Sequence, residues 1–215
     1  MNKKSFKQNK KGILVAAAVS AVSIALLGSF VYLSNSPKGV ATSQKEVSQA
    51  KEQVVESAAY FNKNLSFFST GQPLKANAVY IFFDPRCIYC AALWESSKQV
   101  QGQKFNWIPV GLLSNKSVQI SMEILASKNP IETMEENEEI IKKGGLGIET
   151  SESREEFLEK VKKNTLAFQA LGFNSVPFIL APNPNGAGFI RKSGAMSPEE
   201  FKAFLEGKSA EKVLP

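Results

Sequence analysis

Two cysteines separated by two residues are the side chains of this sequence best suited to chemistry. Cys87 and Cys90 form a C-x-x-C pair with Ile88 and Tyr89 between them, and the 215 residues contain no histidine. Without histidine, a Ser-His-Asp triad, a Cys-His nucleophile pair and an imidazole metal cluster are excluded. Any catalysis by this sequence must therefore use the two thiols, a carboxylate, a lysine or a hydroxyl.

The position of the pair predicts two unequal thiols. Cys87 is expected at or just before a helix N-terminus, where free N–H groups and the helix dipole favour an anion, and Arg86 adds a positive charge beside it. Both effects lower a thiol pKa, and the thiolate is the nucleophilic form. Cys90 is expected about one turn further along the same helix face and less exposed. We therefore expect Cys87 to attack a disulfide and Cys90 to resolve the mixed disulfide.

Two other uses of the cysteine pair receive less weight. A structural disulfide across so short a loop would contribute little entropic stabilisation. A zinc site would need two further ligands, which only carboxylates could supply. The preferred interpretation is a redox-active pair that needs no metal and no cofactor beyond its own disulfide.

A buried strand and a helix are predicted to position the pair. Residues 78–83 (AVYIFF) are continuously apolar, which is typical of a strand covered on both faces. Asp84 and Pro85 end this strand and shape the turn that presents Cys87, with proton transfer by Asp84 as a less favoured role. The helix that follows is expected to run to about Val100.

The rest of the chain is predicted to consist mainly of helices with a few short strands. Apolar residues three or four apart predict one helix over 43–68, and the acidic run 132–139 is expected on a solvated helix face, as is Glu95. Ser153 and Glu156 are expected to form a capping box, and the segment 197–200 is expected to cap the last helix. The other predicted elements are a strand at 105–113, helices at 117–127, 131–143, 153–171 and 197–205, and strands at 176–180 and 188–191.

A basic tail and a long uncharged segment open the sequence. Residues 1–11 hold five lysines and no acid, and residues 13–33 carry no charge over a length that can span a bilayer as a helix. We expect a transmembrane anchor over 12–33, with a cleaved signal peptide as the alternative. The lysines would keep the tail cytoplasmic. The body is then expected on the periplasmic or extracytoplasmic side of the inner membrane, where two cysteines suggest a disulfide.

The net charge of +6 is a property of the basic tail. The tail holds five of the 26 basic residues, and against 20 acidic residues the remainder carries only about +1. Nucleic-acid binding needs a basic face. The sequence therefore gives no support to nucleic acid as a partner.

The order of the predicted elements is that of a thioredoxin-like α/β fold with a helical insertion. Residues 83–94 (FDPRCIYCAALW) resemble the active-site segment of the DsbC/DsbG-type thiol:disulfide interchange proteins, and segments 110–113, 124–130 and 176–179 are similar too. The resemblance covers about residues 76–207. It divides the chain into the tail, the anchor, and the three segments that follow: a linker and helix at 34–75, a catalytic domain at 76–207 and a tail at 208–215.

The resemblance implies a substrate site beside the cysteines. In the family, the proline matching Pro177 is cis and lies near the cysteines, and the backbone of the preceding residue, here Val176, pairs with an extended substrate. Relatives usually carry threonine before this proline, so Val176 is a departure from the pattern. Ile88 and Tyr89 are expected to tune the redox couple and to offer apolar contact to a substrate.

The function implied is that of a membrane-tethered thiol:disulfide reductase or isomerase acting on exported proteins. Reduction of cysteine sulfenic acids and a DsbD-type membrane reductase as electron donor follow from the same resemblance. A DsbA-type oxidase and a non-enzymatic module of an envelope or secretion assembly remain open.

The 34–75 segment is too short for the dimerisation domain and linker of these relatives. Membrane tethering would then replace dimerisation as the means of confinement. A coiled coil over 47–68 is less favoured than a helix packed on its own domain. The oligomeric state stays open.

Overall fold

A five-stranded mixed sheet with helices on both faces forms the described part of the chain. The computed structural model describes residues 43–51, 56–72, 78–151 and 155–208. In chain order the elements are α1 (Gln44–Lys51), α2 (Ala58–Asn64), β1 (Phe68–Thr70), β2 (Ala78–Phe83), α3 (Ile88–Ser97), β3 (Lys104–Pro109), α4 (Asn115–Ala126), α5 (Pro130–Lys142), α6 (Glu155–Ala170), β4 (Phe178–Pro182), β5 (Phe189–Ser193) and α7 (Pro198–Leu205).

Strand β2 lies at the centre of the sheet, whose strand order is β1-β3-β2-β4-β5. It pairs parallel with β3 on one side and antiparallel with β4 on the other. The edge strands β1 and β5 pair antiparallel with β3 and β4. The residues that follow β2 are therefore held at the middle of the sheet, where β3 also ends.

Alternate residues of β2 enter two separate cores, because successive side chains of a strand point to opposite faces. Val79, Ile81 and Phe83 pack in a cluster that includes Cys90 and Trp94 of α3. On the other face, Tyr80 and Phe82 pack with residues of α2 and α6, such as Phe61 and Phe168. Burial on both faces explains why the sequence of β2 is continuously apolar, and this prediction is confirmed.

The single helix predicted over 43–68 is wrong. Ser57 is an extended N-cap at φ −148 and ψ 149, and its hydroxyl accepts from the Tyr60 N–H, so α2 starts afresh there. Leu65 is again extended, and Phe68 begins β1 opposite Trp107. A strand of only three residues has too little alternation to be recognised from its sequence. The break also removes the continuous stripe on which a 47–68 coiled coil would depend.

The predicted order of elements from β2 to α7 is confirmed, but several boundaries differ. Strand β3 ends at Pro109, because the backbone N–H groups of Leu112 and Leu113 donate to Asp84 instead of to a neighbouring strand. Strands β4 and β5 lie further along the chain than predicted, up to Pro182 and Ser193.

The predicted cap at the start of α7 is confirmed, and it is a capping box. Ser153, which is predicted to form a capping box with Glu156, lies outside the described ranges. The Ser197 hydroxyl accepts from the Glu200 N–H, and the Glu200 carboxylate accepts from the Ser197 N–H. Both donors would otherwise be unpaired at the helix N-terminus.

Among the described residues, none of the helices combines the length and the hydrophobicity that a membrane span requires. The predicted cytoplasmic tail 1–11 and anchor 12–33 lie outside the described ranges, as do residues 34–42 and 209–215. The anchor therefore stays a prediction from sequence.

Candidate active site

Cys87 occupies the N-cap of α3, as the sequence predicts. Its backbone is extended, at φ −90 and ψ 116, and its carbonyl oxygen accepts the N–H groups of Cys90 and Ala91 at 2.9 and 3.1 Å. The side chain of Cys87 is 8% exposed, whereas Cys90 is fully buried one turn further on. Both are free thiols. The fold thus leaves the Cys87 thiol slightly exposed to solvent and buries the Cys90 thiol completely.

The pKa of Cys87 is lowered from 9.0 to about 7. The largest cause is a hydrogen bond from the Cys90 side chain, followed among the favourable effects by the backbone N–H groups of Cys90 and Tyr89. Burial and the Asp84 carboxylate oppose the shift. About half of the Cys87 side chains are therefore thiolates near neutral pH, which suits a nucleophile.

The pKa of Cys90 is raised well above 9.0. Burial is the largest cause, and the neighbouring Cys87 adds to it as hydrogen-bond partner and as charge. Cys90 therefore stays protonated while Cys87 ionises. The two thiols differ in the direction that the helix position predicts.

Arg86 lies beside Cys87 in sequence, but the hydrogen bonds above are the main causes of the lowered thiol pKa. Its Nη1 donates to the hydroxyl of Ser114, the N-cap of α4, at 2.7 Å. Its Nε atom is buried without a hydrogen-bond partner in the described part of the chain. Arg86 therefore connects the active-site turn to the start of α4.

Asp84 forms a clamp beneath the cysteine turn. Its carboxylate is fully buried and accepts the backbone N–H groups of Arg86, Leu112 and Leu113 at 2.9, 2.8 and 2.9 Å. Burial raises the pKa of Asp84, and these N–H groups work against that rise. Because both oxygens are engaged, Asp84 holds the loop after β3 against the turn before Cys87.

Val176 and Pro177 lie next to the cysteines although 89 residues separate Val176 from Cys87. The Cys87 Sγ is 3.5 Å from the Val176 carbonyl oxygen. The peptide bond between Val176 and Pro177 is cis, as the resemblance implied. The structure thus brings together the two segments that the sequence identified separately.

Ile88 and Tyr89 present apolar surface at the mouth of the site. They are 50% and 63% exposed, although both begin a helix whose other face is buried. Pro85 is buried and turns its carbonyl oxygen inward, where the Asn137 side-chain amide donates to it at 2.6 Å. The predicted catalytic, substrate-binding and supporting residues therefore lie within or beside one turn.

Sequence reasoning missed two buried residues of α5 at this site. Asn137 and Glu138 fall in the acidic run 132–139 that was expected to be solvated, yet both are fully buried. The expectation is wrong for these two positions because α5 packs on α3. Met134 and Ile141, which are also buried, lie three or four residues from them. That helical spacing is the signal that could have identified the inward face.

The pKa of Glu138 is raised from 4.5 to about 9. Burial is the largest cause, and the negative charges of Cys87 and Asp84 add to it, whereas the hydrogen bond from Asn137 and the charge of Lys142 oppose it. Glu138 is therefore a neutral carboxylic acid at neutral pH.

The acidic group that could share a cation, within the described ranges, lies on the surface away from the thiols. Carboxylate oxygens of Glu95, Glu135 and Glu139 lie within 4.8 Å of one another. Lys98 and Lys142 bind these carboxylates, for example at 2.8 and 3.1 Å from Glu95. The group is an ion-pair network, and Glu95 lies on the solvated face that the sequence predicted.

Comparison with known proteins agrees with this geometry. Residues 69–208 match the family of thioredoxin-like domains. A curated relative, the thiol:disulfide interchange protein DsbG of Pseudomonas aeruginosa, is 25% identical over 143 residues. The match covers 65% of this chain and 55% of the relative, so the chain spans about half the length of that protein. The predicted resemblance to DsbC/DsbG-type proteins is confirmed.

Solved structures share the fold at low sequence identity. A periplasmic thioredoxin-like protein from Salmonella enterica serovar Typhimurium has a TM-score of 0.53 at 16% identity, covering 70% of this chain and 94% of that one. ScsC of Proteus mirabilis in a compact conformation has a TM-score of 0.55 at 13% identity, covering 77% and 85%. The predicted α/β fold is confirmed, and the chain belongs to the family of thioredoxin-like domains.

Proposed function

We propose that this protein is a thiol:disulfide oxidoreductase whose working couple is Cys87 and Cys90. The observation that carries the proposal is the contrast between the two thiols. Cys87 is 8% exposed with its pKa lowered to about 7, and Cys90 is fully buried with its pKa raised. A redox pair needs one thiol that attacks the substrate disulfide and a second thiol that later resolves the mixed disulfide.

The exchange reaction follows from this contrast. The Cys87 thiolate attacks one sulfur of a substrate disulfide, forms the mixed disulfide and releases the other substrate sulfur as a thiolate. Cys90 then loses its proton and attacks the Cys87 sulfur. The Cys87–Cys90 disulfide forms, the substrate bond breaks, and the substrate sulfur leaves with the electron pair. The substrate is reduced by two electrons, and the cysteine pair is oxidised by two.

A substrate chain would be held beside Cys87 by backbone and apolar contacts. The Val176 carbonyl oxygen, 3.5 Å from the Cys87 Sγ, is placed to accept a backbone N–H of an extended peptide. The cis proline after it, Pro177, presents this edge. Ile88 and Tyr89 supply exposed apolar surface on the other side. These contacts tolerate many sequences, which suits a protein that acts on a range of exported partners.

The proposed direction is reduction or isomerisation at the outer face of the inner membrane. The uncharged segment 13–33 would tether the domain, and the lysines before it would stay cytoplasmic. A thiol reductase in an oxidising compartment needs electrons from elsewhere, so we propose a membrane reductase of DsbD type as the donor. The name of the curated relative, a thiol:disulfide interchange protein, supports exchange chemistry of this kind.

The resting redox state of the pair in cells tests the direction. Acid quenching followed by alkylation with a mass-adding reagent reports how many thiols are free. A pair that is mostly reduced supports a reductase or isomerase. A pair that is mostly oxidised supports the DsbA-type oxidase, which the sequence leaves as the second candidate.

The Cys87→Ser variant separates an enzyme from a non-enzymatic module of an envelope assembly. An enzyme would lose its effect on substrate thiols, because serine does not form mixed disulfides. A scaffold would keep its cellular function, since serine is nearly isosteric with cysteine. Cys90→Ser is the matched control, because it keeps the attacking thiol and should accumulate mixed disulfides.

A further inference from the structure

Arg86 carries a positive charge beside Cys87 that no acidic side chain of the described residues neutralises. The ion pairs within those ranges involve other cations; Arg191, for example, pairs with Glu56. Nη1 of Arg86 donates to the Ser114 hydroxyl at 2.7 Å, and Nε is buried without a hydrogen-bond partner. The guanidinium is therefore held in place by a neutral group, and its charge stays unpaired.

Backbone contacts place this charge at the turn before Cys87. The Arg86 N–H donates to the Asp84 Oδ1 at 2.9 Å, and the Cys87 N–H donates to the Asp84 carbonyl oxygen at 3.0 Å. The Asp84 Oδ2 accepts the N–H of Leu113, the residue before Ser114. The Arg86 side chain thus connects the turn that presents Cys87 with the start of α4.

Asp84 is linked to the Arg86 side chain through two serine hydroxyls and forms no ion pair with it. The Asp84 carboxylate interacts with the Ser117 side chain. The Ser117 hydroxyl lies 3.1 Å from that of Ser114, which accepts from Arg86. The Asp84 oxygens are also engaged by backbone N–H groups. Asp84 therefore supports the turn and leaves the guanidinium without a counter-ion.

The groups around Arg86 are positive as well. Cys87 and Ser114 are the N-caps of α3 and α4, and neither helix has an acidic residue in its first turn. Helix N-termini carry partial positive charge. Lys116, in the first turn of α4, adds a cation whose nearest acid is the exposed Glu149 at 4.0 Å. An anion beside Arg86 is therefore attracted by every charge at these two helix starts.

A carboxylate is the ligand that fits the unused donors of Arg86. The residue is partly exposed. Because Nη1 is bonded and Nε is buried, Nη2 is the donor left for a ligand. Hydrogen bonds between a guanidinium and a carboxylate are charge-assisted and strong. A partly buried charge is costly until a counter-ion pairs with it, and a carboxylate of a bound substrate would supply that counter-ion.

We propose that Arg86 is a specificity-determining residue, which binds a carboxylate of the substrate close to the sulfur that reacts with Cys87. The inference rests on the proposed function and adds a substrate class to it. The carboxylate belongs to an acidic side chain beside a substrate cysteine or to a small thiol such as glutathione. The ion pair forms before the exchange and leaves the electron and proton balance of that step unchanged. Disulfides flanked by acidic groups are thus favoured over neutral and basic ones.

Three small disulfides of similar size test this preference: dithiodipropionate is anionic, hydroxyethyl disulfide is neutral and cystamine is cationic. The reduced full-length protein is mixed with each, and oxidation of its thiols is followed by acid quenching and alkylation. Each rate constant in the Arg86→Gln variant is divided by the wild-type value. A change in the reactivity of Cys87 itself alters all three ratios equally. A difference between the ratios therefore reports recognition of charge.

We expect Arg86→Gln to slow the reaction with the anionic disulfide about 3- to 10-fold more than that with the neutral one, as for a partly exposed ion pair. The reaction with cystamine should be slowed least. Arg86→Lys should keep part of the preference, and high salt should weaken it in the wild-type protein. Lys116→Gln is the matched control, because it removes a neighbouring cation that is not beside Cys87, and its three ratios should agree.

Equal ratios for the three disulfides in Arg86→Gln would overturn the role of Arg86. The same loss of preference in Lys116→Gln would also overturn it, because the effect would then be one of the general field. Peptide disulfides with aspartate or asparagine beside the cysteine, and glutathione disulfide, distinguish the sources of the carboxylate. An Arg86-dependent preference for the aspartate peptide assigns it to a protein substrate, and dependence with glutathione disulfide alone assigns it to a small thiol.

Failure of the proposed function looks different from failure of this inference. If the wild-type protein reacts with none of the disulfides, the cysteines are not a working couple. If Arg86→Gln does not fold, the wild-type rates are compared with those of dithiothreitol under the same conditions. An excess preference for the anionic disulfide that salt weakens supports the role of Arg86, and the absence of such a preference overturns it.

Discussion

The Asn137 side-chain amide donates to the carbonyl oxygen of Pro85 at 2.6 Å, across 52 positions of sequence. This hydrogen bond ties α5, which lies in the helical insertion between β3 and α6, to the turn that presents Cys87. Both groups are buried, so leaving either one unpaired would cost about 1–3 kcal/mol. The helical insertion therefore contributes residues to the site, and Glu138 follows Asn137 on the same helix.

Alanine at Gly147 should disturb the site through Asn137. Gly147 has φ +91, and an added Cβ would lie 2.7 Å from the Asn137 Oδ1 and 2.4 Å from Ile120 Cδ1. Gly144→Ala is the matched control, since Gly144 has φ +81 with nothing within 4 Å. In both variants the left-handed backbone lowers the free energy of unfolding by about 1–2 kcal/mol. We expect Gly147→Ala to lose a further ~1–3 kcal/mol from overpacking, measured by urea unfolding.

Hydrogen exchange at Ile148 separates the two glycine variants further. The Ile148 N–H donates to Asn137, so its exchange should accelerate in Gly147→Ala and not in Gly144→Ala. Equal losses of stability in the two variants would contradict the contact between Gly147 and Asn137.

Cys90→Ala should raise the pKa of Cys87 from about 7 toward the value of an ordinary thiol. The hydrogen bond from the Cys90 side chain is the largest cause of the lowered pKa, and alanine removes it. Cys90→Ser keeps a donor and should leave the pKa closer to that of the wild-type protein. The pH dependence of alkylation at Cys87 measures all three values. Identical profiles for the alanine and serine variants would contradict this cause.

Asp84→Asn should destabilise the fold without raising the pKa of Cys87. The amide offers one acceptor oxygen where the carboxylate accepts three N–H groups, so we expect a loss of about 2–3 kcal/mol in urea unfolding. Because the negative charge of Asp84 raises the pKa of Cys87, its removal should lower that pKa. A variant of wild-type stability that exchanges disulfides slowly would instead support proton transfer by Asp84.

Glu138 should make the protein less stable as the pH rises. Its pKa is about 9 in the folded protein against an ordinary 4.5, so between these values the folded state binds the extra proton. The stabilising contribution is complete below about pH 4.5 and is lost as the pH rises through 9. Glu138→Gln lacks this loss, and its advantage over wild type should grow by at least ~1 kcal/mol between pH 5 and 8. Parallel curves in urea unfolding would contradict a buried neutral Glu138.

The parts of the fold that the sequence predicted are those with strong local patterns. Strand β2 is continuously apolar because both its faces are buried, and the C-x-x-C segment follows it directly. Strand β1 was missed because it has only three residues, Phe68–Thr70, and its one apolar residue, Phe68, continues the helical spacing of the preceding segment. Its strand character comes from pairing with β3, a contact that local spacing does not encode.

The residues of the candidate site also differ in how far the local sequence predicts their positions. Seven consecutive residues contain Asp84, Cys87 and Cys90. Their arrangement in one turn could therefore be predicted from their spacing. Glu138 sits among other acids, and composition alone favours an exposed position for such a residue. Its burial depends on how α5 packs against α3, which is decided by the tertiary fold.

The most direct test of the central claim is to trap the mixed disulfide at Cys87. The Cys90→Ser variant is incubated with oxidised glutathione at neutral pH, and the adduct is located by mass spectrometry of peptides. We predict a glutathione adduct on Cys87 that persists, and its rapid loss in the wild-type protein as the Cys87–Cys90 disulfide forms. Absence of an adduct on Cys87, or an equally fast adduct on Cys90 in the Cys87→Ser variant, would contradict the assignment of Cys87 as the attacking thiol.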